Sequence, residues 1–308
     1  MTRLTESARG VFVIAATPFA PDGSLDLASI DGLVDFYLGH RVHGLTLLGI
    51  MGEAQKLTPE ESLQVVRRTL ARVGGRVPVV VGVSSPGLAP LAALAAAAMD
   101  AGAAGVMVAP AAGLRGDDAL FAYVDSVFRV LDPATPVVYQ DYPQSTGIYL
   151  PVPLFHRMVD AFPRLVVLKH EDAPGLAKLT QIRREAERDA RRRVSVLVGN
   201  GALYYPQELA RGADGAMSGF AYPEMLVEVY ERFAGGAVEA AEDVFDAYLP
   251  LLRMEHQPGV GLAVRKALLH RRGAIASPTL RAPGASLTAD DQRELARLVE
   301  RLERRLKG

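Results

Sequence analysis

The stretch LVVLKHEDAPGLAKLTQIRREAERDARRRVSVLVGN, residues 165–200, decides the fold. It opens on an apolar run, Leu165–His170, passes through a helical pattern at 175–190, and closes on a second apolar run, Val194–Gly199. Both runs are β-branched and continuously apolar, as strands buried on both faces are. Parallel strands need a crossover of a dozen or more residues, and the charged helical stretch supplies it. Arg191-Arg192-Arg193 reads as the solvated end of that helix, where cations complement the helix dipole.

Working outward, the same unit recurs along most of the chain. Further strand candidates are Val11–Phe19, Gly44–Ile50, Val77–Val83, Gly105–Ala109, Pro136–Tyr142 and Gly215–Gly219. Further helical patterns lie near 26–40, 58–73, 87–101, 117–131, 151–161, 204–211 and 223–234. Strands alternating with helices in this way predict α/β architecture, a (β/α)8 TIM barrel over residues 1–236. An open doubly wound sheet should carry a Gly-rich fingerprint at its first turn, where Thr17-Pro18-Phe19 stands instead. From 237 to 308 the pattern is purely helical: Val238–Met254, Gly261–Arg272 and Thr288–Leu306 predict a three-helix extension packed on the barrel. Thr288 with Asp290-Asp291 gives the last helix a cappable, acidic start. The Ala-rich run at 89–98 suits close packing against the barrel or another subunit.

The bulk numbers exclude several classes. A chain of 308 residues fits one large barrel with an appendage. A net charge of -1 gives no support for a nucleic-acid or membrane-surface partner. With no cysteine there is no disulfide, thiolate metal site or cysteine nucleophile. The opening MTRLTESARG lacks the apolar stretch of a signal peptide. The apolar segment Leu88–Pro110 is broken by Asp100 and glycines, so it reads as a helix followed by a strand. A cytoplasmic protein is expected.

In such barrels the active site sits at the C-terminal ends of the strands, so the polar residues there carry the chemistry. The sixth strand ends Leu168-Lys169-His170-Glu171-Asp172. An ammonium in an apolar strand is costly to bury, and burial favours the neutral amine that attacks ketones. The alternative is an ion pair of Lys169 with Glu171 or Asp172. The fifth strand ends Val138-Tyr139-Gln140-Asp141-Tyr142-Pro143. The Tyr139 phenol could relay protons next to Lys169, or be a hydrogen-bonded core tyrosine. The second strand ends Gly49-Ile50-Met51-Gly52-Glu53, where free N–H groups of Ile50, Met51 and Gly52 could hold a carboxylate. Glu53 and Thr17 read as structural neighbours of that site. Gly199-Asn200-Gly201 and Ser218-Gly219 end the last two strands, and Gly-rich loops there can cradle a ligand.

Taken together, these pieces resemble the dihydrodipicolinate synthase / N-acetylneuraminate lyase family of class I aldolases and dehydratases. The resemblance rests on Ala16-Thr17-Pro18-Phe19 with Asp22-Gly23, Gly49 to Glu53 with Leu57-Thr58, Tyr139 with Pro143 and Gly147, Lys169, and the last two strand ends. It implies an imine between Lys169 and a 2-keto acid such as pyruvate, with Tyr139 as proton carrier. It also implies carboxylate binding around Ile50 and Met51, no cofactor or metal beyond the covalent imine, and a homotetramer built as a dimer of dimers. Three departures bear on the substrate. Ile50 and Met51 replace two hydroxyl residues, Pro110-Ala111-Ala112 replaces an aromatic hydroxyl, and Gln144-Ser145-Thr146 replaces a carboxylate-gripping arginine. With Gln140-Asp141, Glu255-His256-Gln257 and Arg265-Lys266-Ala267, they point to the sugar-acid branch, such as the 2-keto-3-deoxyarabonate dehydratases. Asp141, Gln144, His170, Glu171 and Tyr222 are then candidates for distal hydroxyls, and Ser218 and Gly219 for the substrate.

Other readings stay open. The chain could be a dihydrodipicolinate synthase condensing pyruvate with an aldehyde. Glu53, Asp141, His170, Glu171 and Asp172 could hold Mg2+ or Mn2+ in a metal-dependent aldolase, although neighbouring strand residues face opposite ways. A barrel that binds a keto acid without turning it over is the third.

Overall fold

The computed structural model describes residues 3–307. The chain begins with β1 (Gly10–Ile14), α1 (Leu27–Gly39), β2 (Gly44–Leu47) and α2 (Pro59–Val73). It continues with β3 (Val79–Gly82), α3 (Leu88–Asp100), β4 (Gly105–Val108) and α4 (Asp117–Val130). Then come β5 (Val137–Asp141), a short α5 (Pro143–Thr146), α6 (Val152–Ala161), β6 (Leu165–His170) and α7 (Leu176–Arg188). β7 (Ser195–Val198), α8 (Tyr205–Ala210), β8 (Gly215–Ala216) and α9 (Pro223–Ala234) complete the repeat. The strands form a closed parallel barrel in sequence order, β8 pairing back onto β1. This is the TIM barrel that the alternating pattern predicts. The extension comprises α10 (Val238–Glu255), α11 (Gly261–Arg271) and α12 (Ala289–Arg305), with α10 packed against α9 and α12. No helix among the described residues is long and apolar enough to cross a membrane.

Local chemistry sets several of these boundaries. Thr58 and Glu61 form a reciprocal capping box at the start of α2, with Pro59 in its first turn. Thr288 and Asp291 do the same for α12. β1 stops at Ile14, short of the predicted Phe19, because the chain turns: Phe19 instead makes an antiparallel bridge to Leu25. β2 stops at Leu47, since Leu48 takes the left-handed conformation and the chain enters a 3-10 turn over Ile50–Gly52. β8 is reduced to two residues, and a side chain at Gly215 would collide with the Gly10 backbone.

Two apolar layers follow from the strand alternation. Phe12, Ile14, Val80, Met107, Val138, Val167, Leu197 and Met217 fill the barrel interior. Val11, Val13, Val79, Val81, Val106, Val137, Leu168, Val196 and Ala216 face the helices. This division decides which polar residues can meet inside the barrel.

Candidate active site

On β5 and β6 the inward row runs Val138, Gln140 and Val167, Lys169. Gln140 and Lys169 are register partners. Lys169 is 4% exposed, so its ammonium needs a partner. Its Nζ lies 3.1 Å from Oε2 of Glu171, the next inward residue. Gln140 Nε2 donates to the same oxygen at 2.6 Å. Asn200 ties down the rest of Glu171: its backbone N–H donates to Oε1 at 3.4 Å and its Nδ2 to the Glu171 carbonyl at 2.6 Å. Gly199 has no side chain here for a steric reason, because a Cβ would overlap the Glu171 side chain. The site therefore presents an amine, a fixed carboxylate against it, and an amide that orients the carboxylate.

The outward row corrects three sequence assignments. Tyr139 is one residue out of phase with Gln140 and packs in the layer between barrel and helices. Burial, then the Asp141 charge, push its phenol far above its ordinary range. It does not share the barrel interior with Lys169 and cannot relay protons there. Asp141 also faces out, where Lys178 of α7 donates to Oδ2 at 2.6 Å. His170 faces out too: its Nε2 lies 3.0 Å from the Gly175 carbonyl and its Nδ1 3.5 Å from Asp141 Oδ2. Asp141 and His170 are thus parts of a polar layer behind the strands and do not line a substrate. Glu208 of α8 belongs to this layer as well. Burial raises its carboxyl to about 7, with the nearby His170 opposing the shift.

In the loop after β2, Thr17 and Glu53 are the fasteners, but Gly52 does not offer the free N–H expected of it, because that group donates to the Gly49 carbonyl within the turn. Thr17 Oγ1 donates to the Gly52 carbonyl at 2.6 Å. Glu53, at φ 53°, is buried, and receives Lys266 Nζ at 2.6 Å on Oε1 and Lys56 Nζ at 2.7 Å on Oε2. The Arg281 backbone N–H donates to Oε2 at 3.1 Å. Gly52 N and Glu53 N donate back to Gly49 and Ile50 carbonyls, so the N–H groups of Ile50 and Met51 open the turn without partners within it. A cavity of about 510 Å³ runs from this loop across the barrel mouth, lined by Gly49, Ile50, Ser84, Met107, Gln140 and Tyr142. Glu53 on one side, Glu171 inside, and Asp141 and His170 behind the strands do not converge. Among the described residues, no three His, Asp or Glu side chains are grouped to hold a metal ion.

β7 and β8 add residues from the extension. Ser218 continues the β8 register, its carbonyl accepting from Ile14 N at 3.0 Å, while Met217 packs inside the barrel and Ala216 outside. Gly219 follows Met217 in that alternation, and a Cβ there would overlap the guanidinium of Arg265 from α11. His256, at the end of α10, lies against Gly201, 2.7 Å from where a Cβ would be. Gln140, Asn200 and Arg265 are residues of the site to which the strand-end motifs assign no role. A glutamine closing an apolar strand is as anomalous as a lysine there, and that signal could have found Gln140.

The chain matches the Dihydrodipicolinate synthetase family over residues 7–302. It is 32% identical over 305 residues to the L-2-keto-3-deoxyarabonate dehydratase of Azospirillum brasilense, covering 96% of this chain and 94% of that protein. The crystal structure of dihydrodipicolinate synthase from Rhodopseudomonas palustris superposes with a TM-score of 0.95 at 44% identity, covering 98% of this chain and all of that one. YagE of E. coli K12, a prophage protein of the dihydrodipicolinic acid synthase family solved in complex with pyruvate, superposes with a TM-score of 0.87 at 25% identity over 96% of this chain and 98% of its own. With the barrel, the inward lysine and a match spanning nearly the whole sequence, this chain belongs to the Dihydrodipicolinate synthetase family and is a lyase.

Proposed function

We propose that the enzyme forms an imine between Lys169 and a 2-keto acid, and eliminates or cleaves beyond the enamine carbon. The observation that carries this reading is the Lys169 amine inside the barrel, 3.1 Å from a carboxylate that Gln140 holds in place. Glu171 takes the proton from the attacking ammonium, and the amine adds to the keto carbon. The hydroxyl of the carbinolamine leaves as water, giving the imine. A proton then leaves C3 to give the enamine, whose pair expels the C4 hydroxyl as water; in the aldol alternative the C4 hydroxyl loses its proton, the C3–C4 bond breaks towards the iminium to release an aldehyde, and the enamine left behind is protonated at C3. Hydrolysis returns the amine. The iminium is the electron sink, so the scheme uses no metal or organic cofactor. The substrate carboxylate sits at the Ile50 and Met51 N–H groups.

Glu171 replaces Tyr139 as the proton carrier in this scheme, because it is the titratable group in direct contact with the Lys169 amine inside the barrel. The named relative that dehydrates a keto-deoxy sugar acid supports that substrate class over a semialdehyde. Assembly as a homotetramer is part of the proposal, to be read from mass by light scattering. The decisive test is borohydride trapping. With pyruvate, a pyruvyl adduct is expected on the peptide containing Lys169 and absent in Lys169→Ala. No adduct with pyruvate or any longer 2-keto acid overturns the imine mechanism, and loss of activity in a chelator would favour a metal-dependent one.

A further inference from the structure

Arg265 is a buried cation of the barrel mouth that the imine scheme does not use. It is 4% exposed and comes from α11, outside the repeat. Its Nε donates to Glu255 Oε1 at 2.5 Å and its Nη2 to the Gly219 carbonyl at 2.5 Å. Glu255 Oε2 in turn accepts from Ala221 N at 3.0 Å. One end of the guanidinium is left over: Nη1 is buried and has no hydrogen-bond partner among the described residues. An unpaired donor at such depth is costly in a folded protein, and it marks a position where a ligand oxygen supplies the missing acceptor.

The alternation of β8 says where that donor is. Met217 packs in the barrel interior, so Gly219 faces the same side, one step nearer the mouth. The space a Gly219 side chain would need is taken by Arg265 Nη1. On the neighbouring strand, the space a Gly199 side chain would need is taken by Glu171. Two adjacent strand ends have therefore given up their side chains, one to the carboxylate that partners Lys169 and the other to this arginine. His256 closes the same edge against Gly201, and its imidazole is pushed down first by burial, then by Arg265 and against the pull of Glu171.

We infer that Arg265 Nη1 is a specificity-determining donor to a distal hydroxyl oxygen of the substrate, beyond C3 of a 2-keto acid held on Lys169. This deepens the imine reading and rests on it. The local charge balance selects hydroxyl over carboxylate. Arg265 is already neutralised by Glu255, and Lys169 by Glu171. A second substrate carboxylate would enter beside two buried carboxylates whose cations, Lys169 and Arg265, are already paired, whereas a hydroxyl only supplies an acceptor. The enzyme should thus prefer a neutral, hydroxylated tail, as in 2-keto-3-deoxy sugar acids, to a dicarboxylic keto acid.

The test compares borohydride trapping of 2-oxopentanoate, 5-hydroxy-2-oxopentanoate and 2-oxoglutarate, with pyruvate as the reference, in the full-length protein. The variant is Glu255→Gln/Arg265→Gln, which removes both charges together so that neither is left buried alone. Arg265→Lys, which keeps a charge but loses the fork, is the second variant. Half-saturation for the hydroxylated acid should be about ten- to a hundred-fold tighter than for 2-oxopentanoate in the wild type, the range of a hydrogen bond to a charged donor. In both variants that preference should fall to within about twofold, while pyruvate trapping holds. Preference retained in both variants, no preference in the wild type, or tightest trapping of 2-oxoglutarate would each overturn the assignment. Failure of wild-type trapping with pyruvate would instead sink the imine reading beneath it. Loss of pyruvate trapping in folded variants, judged by circular dichroism, would make Arg265 a structural support of β8 and overturn its role in specificity.

Discussion

Gln140 and Lys169 stand opposite each other on β5 and β6, and both side chains converge on Glu171 Oε2. The amide fixes the carboxylate and the carboxylate fixes the ammonium. Gln140→Leu keeps the volume and removes the donor. It should slow imine trapping by about tenfold through a lowered rate constant at unchanged keto-acid affinity, the size expected for losing one hydrogen bond to a charged group.

Tyr139 offers the sharpest contrast. A phenol that carried the protons would make Tyr139→Phe cost a hundredfold or more. Because it faces the helices, the substitution should leave kcat/KM within about twofold, as a side chain with no part in transition-state binding does. Glu171→Gln should abolish most activity. Steady-state kinetics on the two variants separates the assignments directly.

Gly199 makes a steric prediction. A methyl group there overlaps the Glu171 side chain, so Gly199→Ala must move the carboxylate away from Lys169. Activity should fall by an order of magnitude or more, a loss of over about 1.4 kcal/mol in transition-state binding. The companion Gly74→Ala, at a helix end where a Cβ meets nothing closer than 3.9 Å, should cost only the strain of φ 58°. It should lower the melting temperature without touching kcat.

Glu208 sets a pH dependence behind the strands. Burial raises its folded-state carboxyl to about 7, from an ordinary carboxylate value of 4.5. The native state therefore holds a proton that the unfolded chain has lost, so this group's contribution falls as pH rises from about 4.5 to about 7 and then levels off. Glu208→Gln removes the titration. The variant should match the wild type in melting temperature near pH 5 and exceed it near pH 8, by a free energy on the order of a few kcal/mol at most. Calorimetry at the two pH values decides it; equal differences at both would refute the assignment.

Much of this was legible in the residues. Each predicted strand from Val11 to Gly219 overlaps an observed one, and the helical patterns match α1–α12 except for the short α5. Lys169 stood out because a charge in an apolar run needs a reason. The phase of β5 did not stand out. Strands with helices on one side and a packed interior on the other are apolar on both faces, so Val137-Val138 gives no clue to which parity points in. The chemistry of a phenol favours Tyr139 as a proton carrier, and the register of β5 on β6 overrules it. The role of Arg265 was hidden for another reason: it lies 96 residues beyond Lys169, and only the tertiary fold brings α11 to the barrel mouth.

The Glu53–Lys266 pair, both members almost fully buried, joins residues 213 positions apart. Its position in the chain dictates an order of events during synthesis. All eight strands have been made before α11 emerges, so a barrel can close while the turn over Ile50–Gly52 still lacks its fastener and Gly219 its guanidinium. A chain ending after α9 would be a scaffold with its lysine in place and its binding surface unset. The Ile50–Gly52 turn is thus fastened by a residue made only after the whole barrel.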